Sequence, residues 1–195
     1  MKVIGLTGGI GSGKSYVGSI LENMGYHIYY SDNRAKNLMN QNQKIKNGLL
    51  SLLGNEAYIE NKINREFIAQ KLFSKESIRD KVNQLVHPVV REDFEQWKHS
   101  KKEAAIVFNE AAILFETGAY KGFDAVILVH APTETKLKRL KKRDGSTEEV
   151  LIKKMKAQWS DLKKRSLTPY HLLNDGVEPI DTQLQALIKA INKSF

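Results

Sequence analysis

Short apolar runs alternate along this chain with longer stretches in which apolar residues recur at helical spacing. The run "MKVIGLTG" ends in glycine, and residues 16–24 then place apolar side chains three or four positions apart up to Gly25. This pattern predicts a strand, a glycine-rich loop and a helix. "YHIYYSD" indicates a second strand that ends at Asp32. "AAIVFNEAAI" and "DAVILVHAP" are unbroken apolar runs, typical of parallel strands buried on both faces.

The middle of the chain is predicted to be rich in helix, with mostly polar helical stretches from Arg34 to about Glu103 and a turn around "GNEAYIENKIN". We expect a helix to open at His87-Pro88, because proline suits the first helical position and apolar residues follow it at i, i+4 and i+7. Trp97, on this helix, is expected in the core, with stacking on a base as the alternative.

The last third of the chain is predicted to form two helices, a short strand and a final helix. Ser146 and Glu149 form a capping-box pair that would open a helix running through Trp159, which is also expected in the core. Asp181 is expected to cap the final helix.

Strands that alternate with helices predict an α/β fold in one domain spanning residues 1–195. Such a fold has a mostly parallel sheet covered on both sides, and ligands bind at the carboxyl ends of its strands. We therefore expect the functional residues at those ends.

Composition narrows the classes of protein that fit. The chain has no cysteine, which excludes disulfides and thiolate metal sites. No signal-peptide pattern and no apolar run of membrane-spanning length is visible, so we expect a cytoplasmic protein without a membrane partner. The net charge is +9, and residues 136–165 contribute +8 of it, with nine lysines and three arginines against four acidic residues. This segment is expected to be a basic lid; a solvated lysine-rich face is the alternative.

The stretch Gly8-x-x-x-x-Gly13-Lys14-Ser15 satisfies the phosphate-loop pattern between a predicted strand and a predicted helix. Backbone N–H groups of such a loop surround a phosphate, the lysine reaches the β- and γ-phosphates, and the serine hydroxyl of Ser15 ligates Mg²⁺. The expected cofactors are therefore ATP and Mg²⁺. The residues predicted to bind the nucleotide here are Gly9, Gly11, Ser12, Gly13, Lys14, Ser15 and Tyr16.

Two further residues are candidates for catalysis. Asp32, at the end of the second strand, is expected to act as a base toward an attacking hydroxyl or to support the magnesium ion; a helix cap is the alternative reading of "SDN". Arg143, in the basic segment, is expected to contact the transferring phosphate. His87 has no second histidine at metal spacing, and a structural role is its main alternative.

The chain resembles the dephospho-coenzyme A kinase family over essentially its whole length. The similar stretches are, in order, "GLTGGIGSGKS", "YYSDNRAK", "LVHPVVRED", "NEAAILFETG", "LKRLKKRDG" and "PYHLLNDG". The phosphate loop is shared with many kinases, whereas the later motifs in this order are more specific. The resemblance implies a three-layer P-loop kinase fold with a helical acceptor-binding insertion at residues 34–103 and a two-helix lid at 136–166.

The resemblance also implies a reaction and a set of site residues. ATP would phosphorylate the ribose 3′-hydroxyl of dephospho-coenzyme A, giving coenzyme A and ADP. Asp32 and Lys14 would be catalytic, and Arg143 and Asn174 would lie near the phosphates and adenine of ATP. The acceptor pocket would be bordered by Asp32, His87, Arg91, Ile113, Leu114, Phe115 and Glu116. We expect a monomer or a weak homo-oligomer with no nucleic-acid partner.

This sequence departs from the family pattern at several positions. Tyr30 stands where the family has the first aspartate of its D-A-D segment, and Ala112 where it has a proline. Thr168-Pro169 replaces an alanine-aspartate pair, and Lys154 stands where an arginine is common. The rival interpretations are another nucleoside or nucleotide kinase and, from a different class, a P-loop nucleotide switch or a nucleic-acid-binding ATPase.

Overall fold

The computed structural model describes residues 1–194, except the side chain of Phe73; Phe195, the last residue of the predicted domain, lies outside the described residues. The chain forms two compact units. One contains Met1–Tyr30 together with the chain from Lys101 onward, and the other is Ser31–Ser100. The sequence predicted a helical insertion at residues 34–103, so the second unit is close to that range.

The first unit contains the main sheet and most of the predicted strands. Its strands are β1 (Lys2–Thr7), β2 (His27–Tyr30), β5 (Ile106–Glu110), β6 (Ala125–His130) and β7 (Tyr170–Leu173). Its helices are α1 (Lys14–Asn23), α6 (Thr133–Asp144), α7 (Glu148–Lys156), α8 (Asp161–Arg165) and α9 (Ile180–Lys193), with a 3₁₀ turn at Ala119–Gly122.

The five strands form a parallel sheet in the order β2-β5-β1-β6-β7. All five residues of β5 are buried, because this strand lies in the interior of the sheet and is covered on both faces. One face packs on α1 and α9 through residues such as Val17, Leu21 and Leu184. These observations confirm the predicted α/β fold with a parallel sheet.

The register of β1 and β5 determines which residues meet at the edge of the sheet. Leu6 pairs with Glu110, so the end of β5 lies beside the end of β1, where the glycine-rich loop begins. On the other side of β1, Thr7 pairs with Leu128 of β6. The carboxyl ends of three neighbouring strands therefore surround this loop.

The second unit is a helical assembly with a small hairpin. Its elements are α2 (Ser31–Gln41), α3 (Gln43–Leu53), a 3₁₀ turn at Asn55–Ala57, β3 (Tyr58–Ile59), β4 (Lys62–Ile63), α4 (Arg65–Ser74) and α5 (Glu76–His99). Its core contains Ile45, Leu49, Ile68, Val82 and Val86. At the predicted turn, Glu60 and Asn61 have φ values of 48° and 64°, the conformation that closes a two-residue hairpin.

The expected helix start at His87-Pro88 is wrong, because Pro88 lies inside the 24-residue helix α5. A proline inside a helix removes one backbone hydrogen bond and costs about 3 kcal/mol. Apolar residues on both sides of it, Val86 and Val89, belong to the same core, so packing holds the helix through the proline.

Three details of the last third also differ from prediction. The helix α7 ends at Lys156, before Trp159, and its N-cap is Thr147, with no side-chain hydrogen bond, so the capping box is not formed. The final helix begins at Ile180 with Pro179 at its N-cap, so Asp181 lies inside it.

The basic segment has the two helices that the sequence predicted, followed by a third that it did not. The helix α6 ends at Asp144 with Gly145 as its C-cap, whose φ of 62° is left-handed, and α7 begins at Glu148. Ser160 then caps α8, its side chain accepting a hydrogen bond from the Lys163 N–H. Within residues 1–194, no helix combines the length and the apolar character needed to cross a bilayer.

Candidate active site

The loop between β1 and α1 runs so close to its neighbours that side chains are excluded at two of its glycines. A Cβ atom at Gly8 would lie 2.1 Å from the backbone oxygen of Val129. One at Gly13 would lie 2.2 Å from Nδ2 of Asn174, and Gly13 has a left-handed φ of 90°. The loop therefore presents bare backbone, as a phosphate cradle at a helix N-terminus requires.

Asn174 and Arg139 support the loop at Ser12. The Asn174 side chain donates a hydrogen bond to the Ser12 carbonyl (2.9 Å) and accepts one from the Arg139 guanidinium (3.0 Å). Arg139 also donates to the backbone oxygen of Asn174 (2.9 Å). Asn174 was predicted near the nucleotide, and the structure brings it to the loop. Arg139 was missed, because nothing in a lysine-rich helix singles out one cation.

The basic helices contact the same loop from another direction. The backbone N–H of Ile10 donates to Oε1 of Gln158 (2.8 Å), in the connection between α7 and α8. A Cβ at Gly11 would lie 3.0 Å from both the Lys136 carbonyl and Cγ of Leu140, on α6. The middle of α6 and the α7–α8 connection therefore pack directly on the loop.

Lys14, the first residue of α1, points to an acidic residue at the end of the neighbouring strand. Its ammonium lies 3.9 Å from Oε1 of Glu110, and both side chains are buried. The sequence signal for Glu110 is an apolar run that ends in a carboxylate beside the strand preceding the phosphate loop. The sequence alone predicts no role for this residue.

The hydroxyls near the loop differ in exposure. Ser15, in the first turn of α1, is exposed. The hydroxyls of Thr7 and Ser12 are buried and have no hydrogen-bond partner among residues 1–194. Tyr16, also predicted to bind the nucleotide, is exposed at the surface of α1.

Tyr30, the last residue of β2, stands where the resemblance to the family leads us to expect an aspartate. Its hydroxyl donates to Oε2 of Glu22 (3.0 Å), and a Cβ at Gly18 would lie 2.9 Å from that hydroxyl. Burial, followed by the Glu22 carboxylate, raises the pKa of Tyr30 well above its ordinary value. Tyr30 therefore stays neutral and cannot replace an aspartate as a base.

The loop after β5 contains four of the predicted acceptor residues, and two of them are buried. Leu114 and Phe115 belong to the protein interior, where Phe115 packs with Val126 and Leu128. Ile113 is half-buried. Of these three residues, only Ile113 is exposed enough to contact an acceptor, and the two buried residues could only shape the loop.

Glu116, the fourth of these residues, makes an ion pair inside the protein. Its Oε1 lies 2.8 Å from Nζ of Lys164, which is fully buried, and accepts a hydrogen bond from the backbone N–H of Trp159. Lys164 also donates to the carbonyl of Ala112 (3.3 Å). Lys164 therefore holds the loop after β5 at Ala112, the position where the resemblance implies a proline.

In the second unit, Asp32, His87 and Arg91 lie near one another. Asp32 is in the first turn of α2, and the other two are one turn apart on α5. Burial and the positive charge of Arg91 lower the pKa of His87, and the Asp32 carboxylate opposes this shift. The structure thus groups three of the residues predicted to contact the acceptor.

Arg143, the arginine that we favoured as a phosphate contact, is exposed near the end of α6. Its guanidinium donates to both carboxylate oxygens of Asp144, at 2.6 and 3.2 Å. Arg143 holds the pKa of Asp144 below its usual range, and Lys154 lies 3.6 Å from the same carboxylate. Within the described part of the chain, no group of three or more His, Cys, Asp or Glu side chains is arranged to hold a metal ion.

Comparison with known proteins gives the family. A family model for dephospho-CoA kinase matches residues 2–179. A dephospho-CoA kinase from Bacteroides fragilis is 36% identical over 185 residues, covering 95% of this chain and 90% of that protein. The crystal structure of TT1252 from Thermus thermophilus covers 100% of this chain and 97% of its own, with a TM-score of 0.84 and 29% identity.

A dephospho-CoA kinase structure from Campylobacter jejuni has a TM-score of 0.67 and 24% identity, and the match covers 98% of this chain and 96% of that one. At this identity the likeness supports the fold alone. The family match, together with the phosphate loop, makes the protein an ATP-using kinase, consistent with the last step of coenzyme A biosynthesis. The chain belongs to the dephospho-CoA kinase family.

Proposed function

We propose that the protein transfers the γ-phosphoryl group of ATP to the ribose 3′-hydroxyl of dephospho-coenzyme A, giving coenzyme A and ADP. The observation that carries the proposal is the phosphate loop, with Lys14 at the start of α1 beside Glu110 at the end of β5, in a chain whose residues 2–179 match the family. Phosphoryl transfer needs little covalent chemistry from the protein, so catalysis consists mainly of positioning and charge stabilisation.

The nucleotide-binding role of the loop is supported by its geometry. Backbone N–H groups at Gly9, Gly11 and Gly13 would bind phosphate oxygens, because no side chain fits at the close approaches around them. The Lys14 ammonium, held near Glu110, would reach the β- and γ-phosphates. Asn174 and Arg139 would keep the Ser12 carbonyl in place and so preserve the shape of the loop.

The residues at the loop also suit a magnesium ion. Mg²⁺ retains several waters and usually takes one or two protein ligands besides the substrate phosphates. We assign the exposed hydroxyl of Ser15 as one ligand and propose the Glu110 carboxylate as an acceptor for the ion or its waters. When bound, the ion would neutralise charge on the transferring phosphoryl group.

We assign the acceptor side to Asp32, His87 and Arg91. Asp32 follows the last residue of β2 by two positions and would accept the proton of the attacking 3′-hydroxyl. The lowered pKa of His87 keeps it neutral near pH 7, so it would act as a hydrogen-bond donor or acceptor. Arg91 would bind a phosphate of the acceptor, because a guanidinium matches phosphate geometry. The cytoplasmic location and the monomeric or weakly associated state stay predictions.

An acceptor panel tests this function directly. ADP release would be measured with dephospho-coenzyme A, AMP, adenosine and pantetheine phosphate as acceptors, at equal ATP and Mg²⁺. We expect kcat/KM for dephospho-coenzyme A to exceed that for each of the others by at least about 100-fold, since only it offers both the adenylate and the pyrophosphate arm. Higher activity with AMP or adenosine would instead support the rival nucleotide kinase.

A further inference from the structure

A second buried lysine, Lys136 of α6, lies beside the phosphate loop. Its ammonium would be 3.7 Å from a Cβ built on Gly9. It makes an ion pair of 2.6 Å with Oδ2 of Asp161, the first residue of α8. The other carboxylate oxygen of Asp161 would be 3.2 Å from the same Cβ position. A cation and an anion thus stand together over one glycine of the loop.

The Lys136 ammonium has capacity for further acceptors. Its side chain is only 8% exposed, so water reaches little of it. An ammonium group has three N–H donors, and Asp161 is the one hydrogen-bond acceptor that Lys136 has among residues 1–194. Two donors of a buried cation are therefore left for another acceptor, and the ammonium lies beside Gly9, a residue of the loop that is predicted to bind phosphate.

Two side-chain acceptors, one from the α7–α8 connection and one from the start of α8, lie at the same part of the loop. Oε1 of Gln158 accepts a hydrogen bond from the Ile10 backbone N–H (2.8 Å), which is one of the donors that such a loop offers to phosphate. The Asp161 carboxylate adds a negative charge beside Gly9. A triphosphate in this loop and the Asp161 carboxylate would repel each other and would both attract Lys136.

We propose that Lys136 is a further phosphate-binding residue for ATP, and that Asp161 competes with the nucleotide for it. ATP binding would then exchange the Lys136–Asp161 ion pair for a Lys136–phosphate contact and move the start of α8 away from the loop. The inference rests on the proposed function only for its ATP site, and it does not depend on which acceptor is used.

A purely structural role for the ion pair makes a different prediction. If the pair only tied α6 to α8, removing either partner would disturb the loop in the same way, and both variants would bind ATP more weakly. If Lys136 binds phosphate and Asp161 competes for it, the two variants must change ATP affinity in opposite directions. The sign of the Asp161 effect therefore separates the two roles.

Isothermal titration calorimetry with MgATP, without any acceptor, tests the proposal on the full chain. We expect Lys136→Met to raise the Kd about 10-fold, because it removes one charge-assisted hydrogen bond to phosphate. Asp161→Asn, which keeps the size of the side chain but removes its charge, should lower the Kd about 3-fold or more. Lys136→Arg should stay within about 3-fold of the parent protein, because it keeps the charge and the donors.

Matched control variants distinguish the loss of a direct contact with phosphate from a change in the net charge of the protein. Lys138→Met removes the same charge from an exposed position two residues along α6, and Glu149→Gln removes an acidic charge from an exposed position on α7. Both should shift the Kd by less than about 2-fold, since exposed charges are screened. If Lys136→Met does not fold, as judged by circular dichroism, Lys136→Gln takes its place.

The proposal is overturned if Asp161→Asn weakens ATP binding or leaves it unchanged, or if Lys136→Met behaves like Lys138→Met. A parent protein that fails to bind MgATP at all would contradict the proposed function instead. Poor activity toward dephospho-coenzyme A would also bear on the proposed function, while these titrations would remain interpretable.

Discussion

At the scale of single residues, Tyr30 is held by packing and by one hydrogen bond. The tyrosine ring lies over Gly18, and its hydroxyl donates to Glu22. A tyrosine whose pKa is raised in this way neither accepts a proton nor ligates Mg²⁺ at neutral pH. Any carboxylate chemistry from this segment of the sequence therefore falls to Asp32.

Asp32→Asn is expected to lower kcat by at least about 100-fold while ATP still binds, because the change removes a general base without removing a nucleotide contact. Steady-state kinetics and MgATP titration measure the two effects. Asp80→Asn, the same change at an exposed position of α5, should leave both unchanged. Near-normal turnover of the Asp32 variant would show that Asp32 is not the base.

Replacing either of two arginines that lie one turn apart on α6 is expected to impair different properties of the protein. Arg139→Ala should raise the Kd for MgATP and lower the Tm, because Arg139 holds Asn174 and the Ser12 carbonyl. Arg143→Ala should lower kcat more than it weakens ATP binding, if this exposed arginine acts on transition-state charge.

The comparison requires titration, thermal unfolding and kinetics on both variants. Equal kcat for Arg143→Ala and the parent protein would assign the transition-state role to another residue. An unchanged Kd for Arg139→Ala would show that the loop keeps its shape without this arginine.

At the scale of elements, local sequence patterns predicted those strands and loops whose structure is determined by a single local feature of the sequence. The buried strands follow from unbroken apolar runs, and the phosphate loop follows from glycines between a strand and a helix. The position of Pro88 inside α5 was not predicted, because tertiary packing overrides the helix-breaking tendency of proline. The helix α8 was not predicted, because five residues are too few to show helical periodicity.

The candidate site was predictable in part. Motifs pointed to Lys14, Ser15 and Asn174, whereas the positions of Glu110, Arg139 and Lys136 beside the loop follow only from the contacts of the folded chain. A basic helix of ordinary composition gives no sign of which of its cations faces the loop. Only the packing of α6 against Gly11 reveals this.

Lys164→Met is expected to destabilise the protein by about 3 kcal/mol, because it leaves the Glu116 carboxylate without its buried partner. Urea unfolding measures this loss. Lys156→Met, at an exposed position of α7, is the control and should cost less than about 0.5 kcal/mol.

The double variant Lys164→Met/Glu116→Gln should recover part of the stability, since it removes the unpaired charge. A double variant no more stable than the single one would show that Lys164 stabilises the turn chiefly through Ala112, not through Glu116.

At the scale of the whole molecule, the charge distribution agrees with a kinase that handles two polyanions. Residues 136–165 contribute +8 of the net +9, and this segment includes Arg139 and Gln158, which donate to and accept from the backbone of the phosphate loop. Such a field favours encounter with ATP and is screened by salt. The charge excess therefore does not require a nucleic-acid partner.

Global stability is expected to fall as the pH is lowered from about 7.5 to 5.5. Burial and the nearby Arg165 lower the pKa of His130 below its ordinary value of about 6.5, so the unfolded chain binds this proton more tightly than the native protein does. The stability that neutral His130 contributes is complete above the unfolded pKa and is lost progressively as the pH falls below it, toward the lowered pKa of the native protein.

Urea unfolding at about pH 7.5 and about pH 5.5 measures this difference in the free energy of unfolding. His130→Gln should unfold with a smaller difference between them, and His27→Gln, at an exposed position, should behave like the parent protein. Equal slopes for His130→Gln and the parent protein would contradict the assignment of the effect to His130.

The most direct test of the central claim is to identify the product formed from ATP, Mg²⁺ and dephospho-coenzyme A by phosphorus NMR and mass spectrometry. The account predicts one ADP for each molecule of coenzyme A, with the new phosphomonoester on the 3′-oxygen of the ribose. Release of ADP without a phosphorylated acceptor, or a phosphate on any other hydroxyl, would contradict it.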